Sequence, residues 1–265
     1  MIPRIIHYCW LSNDPIPEKL QECMNSWKQK LCSYEFMLWN FERFDINHSL
    51  WVKQAFEAKK YAFAADFIRL YAVYHFGGIY LDMDIEVVKP FDDLLNSEIM
   101  IGYEDGETKK IEAGCFGAII GNCFIEQCLN YYKEREFIKA DGSYDILPLP
   151  NIITEIYNKN CLEKYKIYTS DYFTAKSFST GITNPTFNTY SIHHFAGSWH
   201  SVNESKKHEI RHKIFSLLGD NNFSKFIIWA YWLRGVIVNI VIRFFVKLGP
   251  IGTIKHYYRK IFKKR

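Results

Sequence analysis

The stretch Tyr61–Glu86, YAFAADFIRLYAVYHFGGIYLDMDIE, constrains this 265-residue chain more than any other. No Gly or Pro interrupts it before Gly77, and apolar side chains occupy several faces, which predicts a helix buried on more than one side. Asp66 and Arg69 stand at i and i+3 and so share one face of that helix. Gly77-Gly78 supplies the stop. A period-2 run follows, with Ile79, Leu81, Met83 and Ile85 on one side and Tyr80, Asp82, Asp84 and Glu86 on the other, the pattern of a strand. Two carboxylates two residues apart repel unless a positive charge sits between them. Hard divalent cations take oxygen ligands of this kind and bridge them to substrate phosphates.

Asp-x-Asp alone also fits an ordinary turn after a strand, and Asp66 with Arg69 also fits a surface ion pair worth about a few tenths of a kcal/mol. The neighbours argue against exposure: Ala62, Phe63, Ala64, Ala65, Phe67, Ile68 and Leu70 surround the pair. Charged side chains are almost never buried without partners, and a polar, ligand-lined cleft would supply them.

The flanking chain predicts an α/β fold. Residues 2–11 read as a buried first strand, Pro17 opens a helix running to about Lys30, Tyr34–Trp39 reads as a second strand, and a short helix is expected near Leu50–Ala58. This alternation implies parallel strands, whose ligands sit beyond their carboxyl ends. Further strands are expected at Ile99–Tyr103, Gly114–Ile120, Ile167–Thr169 and Tyr190–His194. Phe124–Arg135 has helical periodicity, Leu147–Pro150 reads as extended, and Asn151 is placed to cap a helix through Asn158. Glu112-Ala113-Gly114 and Pro148–Asn151 stand out without an assignable role. Hydrophobic content of 48% excludes a disordered chain. Seven cysteines, an odd number without a Cys-x-x-Cys, fit a reduced setting, and the first residues lack a signal-peptide pattern.

Charge is unevenly distributed. Residues 226–265 hold nine Lys or Arg and no Asp or Glu; set against a total of +4, this leaves −5 for residues 1–225. Phe226–Leu248 is apolar and aromatic, but Arg234 and Arg243 interrupt it, and a spanning helix needs about 20 apolar residues. Each central Arg costs roughly 2.5–3.5 kcal/mol on insertion scales. An interfacial helix avoids that cost and sets the Lys/Arg cluster against anionic headgroups. Packing on the protein body is the competing reading. A nucleic-acid partner is disfavoured, because the basic residues accompany Ile, Val and Trp rather than a polar, base-contacting surface.

The block 60–90, with HYCWL at 7–11 and HHFAGSWH at 193–200, resembles the Asp-x-Asp glycosyltransferases of family 32, which include yeast mannosyltransferases, bacterial capsule enzymes and, more distantly, clostridial glucosylating toxins. The resemblance covers roughly residues 1–200. It implies a GT-A fold, taken over 1–222; the apolar and basic pattern of 223–265 reads separately as a helical, membrane-associating tail. It also implies a nucleotide-sugar donor (UDP- or GDP-linked), a manganese or magnesium ion, and retention of anomeric configuration. By resemblance, Trp10 stacks on the donor base, Asp66 binds sugar or ribose hydroxyls, Arg69 contacts the sugar or diphosphate, and Tyr80 lines the nucleotide pocket. Asp82 would meet the ribose and the metal's water, while Asp84 binds the cation. His194, chosen over His193, is a further metal ligand, with Ser198 and Trp199 on the diphosphate. Asp66, Arg69 and Asp84 are thus the expected catalytic residues. The expected activity is sugar transfer to a lipid-linked glycan in surface polysaccharide synthesis, by a cytoplasmic protein peripheral on the inner face of the membrane. The alternative is a non-catalytic nucleotide-sugar-binding or scaffold protein.

Overall fold

Burial of the central helix sets the architecture. In the computed structural model, which describes residues 1–105, 109–159, 165–197 and 202–232, the elements in chain order are β1 (Ile5–Cys9), α1 (Glu18–Lys30), β2 (Glu35–Trp39), α2 (Leu50–Glu57), α3 (Tyr61–Phe76), β3 (Gly78–Leu81), β4 (Ile85–Val87), β5 (Ile99–Gly102), β6 (Cys115–Ala118), α4 (Cys123–Asn130), α5 (Leu149–Lys159), β7 (Ile167–Tyr168), α6 (Ser170–Phe173), β8 (Ser191–His193), α7 (Val202–Leu218) and α8 (Asn222–Trp232). Every residue from Phe63 to Leu70 is buried, including Asp66 and Arg69. A helix with no solvent face of its own over two turns is the expected form for so apolar a segment.

The chain divides into two compact units, Met1–Lys176 with Thr183–Trp199, and Ser177–Ile182 with His200–Arg265. In the first, a six-stranded sheet runs β2-β1-β3-β6-β5-β7. β1 pairs in parallel with β2 and β3, β5 pairs in parallel with β7, and β6 alone runs antiparallel to its neighbours β3 and β5. The sheet is therefore mixed, with five of its six strands pointing one way. A separate two-stranded ribbon joins β4 to β8 antiparallel. In the second unit, Asn221 caps α8 through Phe223 N and Ser224 N, both at 3.0 Å, and His212 on α7 donates to Phe178 O at 2.9 Å. Among the described residues no helix is long and apolar enough to cross a membrane. Of the expected tail, residues 233–265 lie outside the described residues.

Several boundaries differ from expectation. The run 79–86 is not one strand: β3 ends at Leu81, Asp82–Asp84 turns, and β4 restarts at Ile85 in the other sheet. α4 stops at Asn130 instead of continuing to Arg135. α5 begins at Leu149, because Pro150 fits the first helical turn, so Leu147–Pro150 is not wholly extended.

The Gly-Gly stop brings α3 against β1. Gly77 and Gly78 have φ of 63° and 100°, and a Cβ on Gly78 would lie 2.6 Å from Ile5 O. The gap is closed by His7, fully buried on β1. Its Nε2–H donates to Gly77 O at 2.7 Å, and its Nδ1 accepts from Trp39 Nε1 at 3.1 Å. One nitrogen donates and the other accepts, so the ring must be neutral. Burial accordingly lowers its pKa from 6.5 to about 4. Because the folded value lies below the unfolded one, stability is full above about pH 6.5 and is lost as pH falls toward 4, where the cost from this group is about 3 kcal/mol. In a His7→Gln variant that part of the acid sensitivity should be missing. Urea midpoints of both proteins between pH 7 and pH 4 check it, through a gap in stability that narrows as pH falls.

Candidate functional site

The register of three strands brings the site together. His7 on β1 is level with Tyr80 on β3, so Cys9 is level with Asp82, and Trp10 leaves the sheet at the same carboxyl end. Across β3, Leu81 faces Cys115, and Asp82 N donates to Gly114 O at 2.7 Å. The ribbon then adds β8: Ile85 pairs with His193, and His194 N donates to Asp84 O at 3.0 Å. The Asp-x-Asp turn thus lies at the carboxyl ends of β1 and β3, where open α/β sheets place ligands.

Each acidic side chain is fixed. Asp82 Oδ2 accepts from Arg69 Nη1 at 3.0 Å, and its Oδ1 accepts from Tyr80 Oη at 2.9 Å. Asp84 Oδ2 accepts from Ala196 N at 2.6 Å, while Oδ1 lies 3.4 Å from His193 Nε2. Phe195, at a left-handed φ of 54°, bends the chain so that Ala196 reaches Asp84, and its ring stacks on His193 with centroids 4.0 Å apart. Behind His193, its Nδ1 meets Glu112 Oε1 at 3.0 Å, and the same oxygen accepts from Gly114 N at 2.5 Å.

Arg69 is the cation of the cluster. Besides Asp82 it meets Asp66 Oδ1 at 3.3 Å, donates to Ala113 O at 2.9 Å, and lies 4.7 Å from the centroid of the Tyr80 ring. Its side chain is 8% exposed. Burial raises Asp66 to about 7 even with Arg69 adjacent. Burial also raises Asp82, with Arg69 opposing. Asp84 is driven the other way: burial disfavours its charge, but His193 and the Ala196 N–H outweigh burial and lower its pKa. For His193, burial is outweighed by Glu112 and Asp84, and its pKa rises well above 6.5. Glu104 is raised to about 7 by burial and by the charge of Glu112.

Asp82, Asp84 and His193 offer ligand atoms that all lie within 4.8 Å of one another. His193, not His194, therefore joins the acidic pair. In a strand successive side chains face opposite ways, and His194 turns outward to Glu86 Oε2 at 2.9 Å. Two carboxylates and one imidazole, with a carboxylate behind the imidazole, form a chemically sound set for a divalent cation. Tyr80 touches the set through Asp82, Asp66 reaches it only by way of Arg69, and Trp10 stands at the same sheet end, its Nε1 donating to Asp14 O at 2.9 Å. Ser198 and Trp199 lie outside the described residues. Glu112 had no role assignable from sequence, although Glu112-Ala113-Gly114 stood out there; its partners become visible only through pairing of distant strands. A surface groove of about 610 Å³, lined by His48, Phe67, Tyr71, Tyr74 and Tyr132 among others, shares none of the site residues.

Residues 17–100 match the family model described as the glycosyltransferase sugar-binding region containing DXD motif. The chain is 33% identical over 108 residues to inositol phosphoceramide mannosyltransferase 1 of Schizosaccharomyces pombe, covering 38% of this chain and 33% of that protein. It is 41% identical over 83 residues to glucan organizing enzyme 1 of Cryptococcus neoformans var. grubii, covering 28% and 23%. To mannosyl phosphorylinositol ceramide synthase SUR1 of Saccharomyces cerevisiae it is 33% identical over 99 residues, covering 36% and 26%. The matched part thus spans a third or less of these relatives. Among solved structures, the PaToxG glycosyltransferase aligns with a TM-score of 0.46 at 18% identity, over 60% of this chain and 70% of that one.

Removing Arg69 would leave buried Asp66 and half-buried Asp82 without their cation, at a cost of about 3–5 kcal/mol. Arg69→Met should lose stability on that scale. Arg69→Lys should recover only part, because one ammonium cannot reach both carboxylates and Ala113 O in the same geometry. Urea unfolding of the three proteins at pH 7 checks both.

Proposed function

We propose that this chain, whose residues 17–100 match the model of a glycosyltransferase sugar-binding region containing the DXD motif, is a metal-dependent retaining glycosyltransferase. In this reading it moves a hexosyl group from a UDP- or GDP-sugar to a lipid-linked glycan, on a GT-A body. The observation that carries it is the meeting of Asp82, Asp84 and His193 within 4.8 Å at the carboxyl ends of parallel strands. The names of the relatives, mannosyl transfer to inositol phosphoceramide among them, favour a hexosyl donor and a lipid-borne acceptor.

The residues then divide the work. Asp82, Asp84 and His193 would hold manganese or magnesium, which supplies Lewis-acid neutralisation of the charge gathering on a leaving diphosphate. Arg69 holds Asp82 in place and sets a fixed positive charge beside the site. Asp66, raised to about 7 by burial, can accept from or donate to a sugar hydroxyl near neutral pH. Tyr80 orients Asp82 through its hydroxyl. Trp10 offers an indole at the same sheet end, suited to stacking on a nucleobase. Retention of configuration is the outcome the resemblance implies, and the anomer of the product reads it out directly.

With manganese and a panel of UDP- and GDP-sugars, the full chain should release sugar from at least one donor, and Asp84→Ala should lower that rate by roughly 10²-fold or more. Negligible turnover in both, with nucleotide-sugar binding retained, would favour the non-catalytic scaffold instead.

The basic segment 223–265 supports a place at the inner face of the cell membrane. Near an anionic surface each Lys or Arg contributes about 1 kcal/mol. The full chain should co-sediment with phosphatidylserine vesicles and not with phosphatidylcholine ones. Replacing Lys255, Arg259, Lys260, Lys263, Lys264 and Arg265 with Gln should release it; retention after that change would sink the membrane assignment.

A further inference from the structure

We propose that Glu112 is the positioning residue that makes His193 a metal ligand, holding its imidazole so that Nε2 points between Asp82 and Asp84. The proposal rests on the metal-dependent reading above and extends it to a residue outside the ligand set.

Glu112 is 1% exposed, and a single oxygen, Oε1, takes both His193 Nδ1 at 3.0 Å and Gly114 N at 2.5 Å. The Gly114 bond pins the carboxylate, and the carboxylate pins the ring. Phe195 stacks on the ring from one side, so both its tilt and its rotation are set. With Nδ1 occupied, only Nε2 remains to face Asp84 Oδ1, 3.4 Å away. No side chain fits at residue 114: a Cβ on Gly114 would lie 2.7 Å from Glu112 Oε1, 2.8 Å from His193 Cε1 and 2.9 Å from Asp82 Oδ2. Glu112, His193 and Asp82 therefore converge on one spot, and the glycine keeps it open.

Capping the Gly114 N–H needs one neutral oxygen, which Asn or Ser would supply. A carboxylate there is costly, because Glu112 Oε2 is buried with no hydrogen-bond partner among the described residues. Burying a charge costs several kcal/mol unless an opposite charge repays it. The Nδ1–H of His193 is the donor in contact with Glu112, and a cation held at Nε2 would supply the opposite charge through the ring. A carboxylate that accepts from a ligating imidazole fixes its tautomer and raises its basicity, and loss of such a partner typically costs about 10–100-fold in metal affinity.

The test is a titration of the full chain with manganese alone, followed by the electron paramagnetic resonance signal of free Mn²⁺. Wild type, Glu112→Ala and Glu112→Gln are compared, each confirmed folded by circular dichroism and thermal melting. Glu112→Ala should bind manganese about 10–100-fold more weakly than wild type. Glu112→Gln keeps the shape and one acceptor oxygen but not the charge, and should fall between them, about 3–10-fold weaker, on the same principle. If Glu112→Ala does not fold, Glu112→Gln decides alone. Folded variants that bind manganese within twofold of wild type would overturn the positioning role while leaving the metal-dependent reading intact. Wild type that binds no manganese would overturn that reading, and this proposal with it.

Discussion

A buried guanidinium holds this structure together. Arg69 sits inside the first unit, and a charge there is tolerable only with partners. The helix supplies one in Asp66, three residues back, and the sheet supplies the other in Asp82. Because α3 has no solvent face over residues 63–70, Arg69 has no exit to water, and the first carboxylate of the Asp-x-Asp turn must come to it. Packing of an apolar helix and placement of an acidic turn are thus one event. The same cation that offsets the repulsion of the acidic pair also ties it to the core.

The topology works on the second carboxylate. A continuous strand would have carried Asp84 and Glu86 away along the sheet. By ending β3 at Leu81 and restarting at β4, the chain leaves the main sheet and pairs with β8. That exchange brings a segment more than a hundred residues distant against the turn, and with it an imidazole and the Ala196 amide. β6 completes the enclosure from the other side, where Gly114 allows an approach that any Cβ would block.

How far the sequence revealed this depends on whether the deciding contact was local. The buried helix, its Gly-Gly stop and the Asp66–Arg69 pairing are properties of neighbours in the chain and read correctly from spacing. The end of β3 did not, because alternation of apolar and polar residues continues unbroken through Glu86; what ends the strand is the competing partner β8. The choice between His193 and His194 turned on a one-residue register. In a three-residue strand that register is fixed by pairing with β4, not by any pattern within HHFAGSWH. Glu112 had no role that its neighbours in the chain could assign, because its partner lies 81 residues away at His193.

The acidic side chains of the site are held in place before any ligand arrives. Asp82 is held through both oxygens, by Arg69 and Tyr80, and Asp84 through Oδ2 by a backbone amide. Side chains so tied lose little further freedom when a ligand arrives, so little of the binding energy is spent on ordering them. Asp84 Oδ1 and His193 Nε2 lie 3.4 Å apart, and with Asp82 they offer atoms within 4.8 Å of one another. A turn of three residues in open solvent would have to order itself around an ion. Here folding has done so in advance, and the same buried charges that make the arrangement costly to build make it stiff once built.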